Sequence, residues 1–135
     1  MPRSAGALAV TLATAAFAFG LVAPSPVEAQ NAVTVDVTCP SEQDPQLVVR
    51  VDPWVYEVDL NGPGEWNLNI EDDIEIAAKK SGKWFWKKEK VKDKKKVKLT
   101  EWKDKEFKSG DYFDYNITVH CGASSAVIDP RVRVR

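Results

Sequence analysis

Residues 110–121 read GDYFDYNITVHC, and the alternation in them is unbroken. Phe113, Tyr115, Ile117, Val119 and Cys121 fall on one side. Tyr112, Asp114, Asn116, Thr118 and His120 fall on the other. A period of two sustained through aromatic and β-branched residues marks a strand with one face on an apolar core and one face outward.

The same period recurs along the chain. VTVDVTC (33–39) sets Val33, Val35, Val37 and Cys39 against Thr34, Asp36 and Thr38. QLVVRVDP (46–53) sets Leu47, Val49 and Val51 inward, and Pro53 ends or bends that run. WVYEVDL (54–60) restarts an extended segment and NGPG (61–64) punctuates it. EWNLNI (65–70) alternates Trp66, Leu68 and Ile70, and DDIEIAA (72–78) follows with Ile74 and Ile76. In AVIDPRVRVR (126–135), Val132 and Val134 point in and the arginines point out. No stretch holds a 3.6-residue period long enough for an extended helix. Six to eight short strands divided by turn residues predict an all-β Greek-key sandwich.

The ends and the cysteines fix the compartment. Residues 1–29 have Arg3 near the start, an Ala- and Leu-rich run from about Ala5 to Ala23, and Val27-Glu28-Ala29 as a cleavage site. They read as a cleaved secretory signal peptide. The competing reading is a retained membrane anchor, for which the run is short. Residues 30–135 then form one small domain, secreted or periplasmic. Its two cysteines, Cys39 and Cys121, lie on the apolar faces of their strands and predict one disulfide; two buried free thiols are the alternative. Such a bridge closes about 80 residues and adds about 4 kcal/mol by the chain-entropy model.

The strand order resembles the cupredoxin sandwich, the plastocyanin/azurin-type family. YEVDLNGPGEWNLN is similar to that family's strand–Gly turn–strand segment, with Val58, Gly62 or Gly64, Trp66 and Asn69 at the matching places. SGDYFDYNITV is similar to its Gly-x-Tyr opening of the next-to-last strand, here Gly110 and Tyr112, and VIDPRVRV stands where the closing strand would. Immunoglobulin-like sandwiches share much of this pattern and remain the alternative. The resemblance implies the fold without its copper. That site takes two imidazoles, a thiolate and a weak thioether. Asn69 is followed by IEDDIEI, with no histidine, and NITVHCGASSAVIDP holds neither methionine nor a second histidine. His120 is the one histidine of the chain, and the one methionine, Met1, belongs to the leader. No metal and no cofactor are expected.

Catalytic chemistry finds little to work with. One histidine and no serine, threonine or cysteine in a histidine-plus-acid pattern argue against a triad, so no enzyme is expected. The acidic run at 71–73 lacks the spacing of a calcium loop and reads as a solvated turn. Asn116-Ile117-Thr118 is an N-glycosylation sequon, of consequence only in a host that uses it.

The remaining signal is charge. Residues 30–78 carry eleven acids against one base, Arg50, a net of −10. Residues 79–108 carry fourteen lysines against five acids, a net of +9, and hold every lysine of the protein. Within this segment, treated as a Lys/Trp-rich insertion, KWFWKK (83–88) alternates, so that Trp84 and Trp86 share one side and Phe85 takes the other. One face packs on the core. In one reading the indoles cap the core beneath lysine stems on a blunted edge. In the other, Lys83, Trp84, Trp86, Lys87, Lys88, Lys94, Lys95 and Lys96 form an anion-binding surface. Its candidate partners are an acidic polysaccharide or an anionic membrane surface. Nucleic acid fits the same physics but suits a secreted chain least. A second class of function is an extracytoplasmic protein–protein or structural module with no small ligand.

Overall fold

The computed structural model describes residues 31–80 and 82–135. The expected leader, 1–29, lies outside them. The described chain is all β, with ten strands in two mixed sheets and no helix. They are β1 (Val33–Thr38), β2 (Val48–Asp52), β3 (Val55–Val58), β4 (Gly64–Leu68), β5 (Ile74–Ala78), β6 (Lys90–Lys92), β7 (Lys96–Leu99), β8 (Tyr112–Cys121), β9 (Ser124–Ile128) and β10 (Arg131–Val134). One sheet has the order β2-β1-β4-β7. The other runs β3-β10-β8-β5-β6, with β9 also on β8. Two pairings are parallel, β1 with β4 and β3 with β10.

Ten strands stand where six to eight are expected because residues 79–108 supply β6 and β7 and Pro130 divides the expected last strand into β9 and β10. After β2 the chain turns at Pro53, leaves the four-stranded sheet and enters the six-stranded one as β3. β9 and β10 both lie on β8 in a single register, Ile117 facing Ile128 and Asp114 facing Arg131. Pro130 sits between them. It lacks an N–H but still accepts from the Tyr115 N–H at 3.0 Å, so the ladder passes through it.

Alternation decides the core. β1 is buried at Val33, Val35 and Val37 and exposed at Thr34, Asp36 and Thr38. β8 buries Tyr115, Ile117 and Val119, and β10 buries Val132 and Val134. Each aliphatic side chain so buried contributes about 1.5–3 kcal/mol relative to exposure. Asn69, just past β4, extends the β1–β4 pairing with its side chain. Its Oδ1 accepts the Val37 N–H at 2.7 Å and its Nδ2 donates to the Val37 carbonyl at 2.8 Å.

Cys39 and Cys121 are bonded to each other, with Cα atoms 5.7 Å apart, and join the end of β1 to the end of β8. The bridge therefore ties one sheet to the other. It lies at the rim rather than in the core, because Cys39 falls one residue beyond β1 and is exposed while Cys121 is half-buried.

Residues 79–108, expected as an insertion, belong to both sheets. They supply β6 at one edge of the six-stranded sheet and β7 at one edge of the four-stranded sheet. Between β5 and β6 the chain also delivers Trp84, Phe85 and Trp86 to the interior.

Candidate functional site

The chain leaves β5 through Lys79 and Lys80 and reverses at once. The Lys83 N–H donates to the Lys80 carbonyl at 3.0 Å, and Gly82 takes the left-handed conformation (φ 82°) that glycine adopts without strain. Both backbone groups of Gly82 are held from outside the turn. Its N–H donates to Glu89 Oε2 at 3.0 Å, and its carbonyl accepts Lys105 Nζ at 3.2 Å. Lys103 is ion-paired to the same Glu89 carboxylate. The turn is thus a braced element.

Its lysines line an open cleft of about 310 Å³ formed by Lys79, Lys80, Lys83, Phe113 and Asp114. Phe113, half-buried, backs onto Phe85 with ring centroids 5.0 Å apart. The carboxylates nearby already have partners. Lys79 Nζ meets Asp129 Oδ2 at 2.8 Å, and Arg131 Nε meets Asp114 Oδ1 at 2.8 Å. The hydrogen bond between Lys79 and Asp129 raises the lysine pKa and lowers that of the aspartate. The bond to Asp114 likewise raises Arg131. Lys80 and Lys83 are exposed and have no carboxylate within salt-bridge distance among the described residues. The cleft therefore presents two uncommitted ammonium groups beside an aromatic ring, an arrangement suited to an anion with an apolar body.

Of the sequence-predicted contact residues, Lys83 alone lies in this cleft. Trp84 and Trp86 correct the expected surface: they are 2% and 0% exposed, and Phe85 is fully buried as well. Alternation fails here because this stretch is covered on both sides. Trp86 pairs with Trp102 through an isolated bridge, and the Lys87 N–H and Phe85 carbonyl bond to the backbone of Glu101 and Lys103. That pairing lays Trp102 and Phe107 over Phe85, with centroids 5.0 and 5.2 Å away. On the inner side Trp84 and Trp86 join Trp66 and Tyr115. The indole N–H groups of Trp86 and Trp102 both reach the Gly62 carbonyl, at 3.4 and 2.6 Å. Gly64 is as tightly placed, since a Cβ there would stand 2.6 Å from the Trp86 ring.

The lysines also divide. Lys87 and Lys88 are exposed near the Lys80–Lys83 end, Lys87 being 3.9 Å from Glu101. Lys94, Lys95 and Lys96 are exposed at the other end of β6, where Asp93 bonds to Ile74. The extended chain between the two groups spans roughly 15 Å. Lys79, Lys80, Phe113 and Asp114 were missed by sequence reading. The Lys-Lys-Ser-Gly-Lys turn at 79–83 is the signal for the first two; nothing in the sequence brings Phe113 and Asp114 to it.

His120 is exposed and borders a second, smaller cleft of about 170 Å³ with Asp73, Glu75, Lys92 and Asp93. Lys90 and Lys92 lie 3.9 Å from Glu75. Among the described residues no group of three or more histidine, cysteine or acidic side chains is placed to hold a metal ion. Asn116 is half-buried on the outer face of β8, opposite Ala77. No described helix is long and apolar enough to cross a membrane. No protein-family model matches the chain, and no curated protein matches it in sequence.

Proposed function

We propose that this domain is a secreted or periplasmic, copper-free, cupredoxin-like module that binds an anionic ligand without catalysis. The observation that carries the binding is the cleft of Lys79, Lys80, Lys83 and Phe113, with its turn braced through Gly82. The burial of Trp84 and Trp86 leaves the 83–88 stretch without an indole to seat at a membrane interface, whereas Phe113 in the cleft offers a ring face to a sugar, so the ligand class this favours is an acidic saccharide. Its carboxylate or sulfate meets Lys80 and Lys83, and its ring lies on Phe113.

The cupredoxin-like part of the reading is supported by the placement of the three motifs. Gly110 and Tyr112 stand at the opening of β8, VIDPRVRV spans the end of β9 and the closing β10, and Trp66 and Asn69 follow the turn between β3 and β4. The copper-free part is supported by the bond between Cys39 and Cys121, which leaves no thiolate. The leader-like N-terminus and the disulfide both favour an oxidising compartment.

The test is retention of the purified protein on dextran sulfate, on polygalacturonate and on vesicles of anionic lipid, each across a salt gradient. Retention on a polysaccharide that salt reverses supports the reading. Retention on vesicles alone moves the ligand to a lipid surface, and flow-through on all three rejects anion binding.

A further inference from the structure

Sheet edges are where strands recruit other strands, and this chain treats its edges unequally. β6 carries Lys90 and Lys92, β7 carries Lys96 and Lys98, β2 carries Arg50 and Asp52, and β3 carries Glu57. Charged side chains of this kind blunt edge-to-edge pairing. β9 is different. Its sequence, SSAVI, has no charge and no proline. β8 pairs with one side of it, and among the described residues no strand pairs with the other.

The geometry of that free side follows from the hairpin. Cys121 and Ser124 face each other across the Gly122-Ala123 turn, with Val119 opposite Ala126 and Ile117 opposite Ile128. In a two-residue hairpin the closing pair is hydrogen-bonded and the bonded pairs then alternate. Ser125 and Val127 therefore direct their N–H and C=O groups away from β8. The neighbouring bonds agree: the His120 N–H, in the non-bonded row, turns outward to the Asp73 carbonyl at 2.9 Å. The free edge ends where the Arg131 N–H meets the Trp54 carbonyl at 3.0 Å, so about five residues are open. Val127 is 61% exposed, the most open of the large apolar side chains.

We infer that β9 is a pairing edge for a second copy of this chain, joining two six-stranded sheets across a two-fold axis. Charge identifies the occupant. Every other edge strand among the described residues carries charge, so the edge that matches uncharged β9 is β9 itself. Antiparallel pairing about Ala126 sets Ser125 opposite Val127 of the second copy. It forms about four backbone hydrogen bonds and places no charged side chain within Ser124–Ile128 against another. Outer face continues into outer face, so Val127 is covered by the neighbouring strand. The symmetry is closed, and pairing stops at two. One strand on each side is a small interface, at the weak end of specific complexes. This inference does not depend on the lysine cleft.

The experiment is sedimentation equilibrium of the purified protein over a wide concentration range, with amide hydrogen exchange measured at both ends of that range. The expected result is a doubling of mass at high concentration, together with slower exchange at Ser125 and Val127. Ser125→Pro removes an outward N–H without touching the β8 ladder, and Val127→Lys adds a charge to the edge; each should hold the protein monomeric. A monomer at every concentration overturns the inference, as does a dimer that leaves exchange at Ser125 and Val127 unchanged. Concentration-independent protection of those amides also overturns it, and assigns the edge to another segment of the same chain. The exchange reading on the unmodified protein decides the matter even if a variant fails to fold.

Discussion

The indole N–H of Trp66 donates to the hydroxyl of Tyr115 at 3.0 Å, joining β4 of the four-stranded sheet to β8 of the six-stranded one inside the core. Both rings are fully buried, with centroids 5.7 Å apart and edge to face. The bond satisfies a donor that no water reaches. Replacing Tyr115 with Phe leaves that donor alone and keeps the ring. A loss of about 1–3 kcal/mol in urea unfolding is expected, with native far-ultraviolet dichroism retained.

The same residue sets an alkaline limit. Burial pushes the Tyr115 hydroxyl well above the ordinary value of 10.0, with the Trp66 bond acting in the opposite direction. Tyr56 is raised for the same leading reason, burial. A raised folded pKa contributes stability that is fully present below the unfolded value and is lost as pH rises through the folded one. Stability should therefore decline above about pH 10, and Tyr115→Phe should flatten that decline. Unfolding midpoints measured from neutral pH to pH 11 check it.

Gly64 is held glycine by Trp86. A Cβ 2.6 Å from the indole must displace a side chain packed on all sides. Gly64→Ala should destabilise by about 1–3 kcal/mol, the range for overpacking. Tryptophan fluorescence should shift as Trp86 moves.

The Cys39–Cys121 bridge spans 82 residues of sequence. Removing it by Cys39→Ala with Cys121→Ala should lower stability by about 4 kcal/mol. Thermal unfolding of the oxidised protein and the double variant under the same conditions gives the comparison.

The sandwich was legible because its strands announce themselves one residue at a time. Tyr115 to Val119 and Val33 to Val37 carry their core face in a period of two, and the structure keeps those faces. The aromatic stretch at 84–86 was not legible for the opposite reason. Period two assigns one face to solvent only where solvent reaches it. Here Trp102 and Phe107 arrive from 17 and 22 residues further along the chain to cover Phe85. The candidate cleft was half legible. Lysines in a Ser-Gly turn can be read locally, whereas Phe113 and Asp114 come to that turn only through the pairing of β5 with β8. The lysine run itself misleads, because adjacency in sequence along β6 becomes separation in space.

The cleft is tested most directly by charge reversal in the turn after β5 and, separately, beyond the far end of β6, read as retention on an acidic polysaccharide in rising salt. The protein should bind at low ionic strength and elute as the Debye length shrinks from about 10 Å at 0.1 M toward 3 Å at 1 M. Lys80→Glu with Lys83→Glu should abolish retention, and Lys94→Glu with Lys95→Glu, at the far end, should leave most of it. Equal losses from the two double variants, or retention that survives the first, would contradict a ligand site in the cleft.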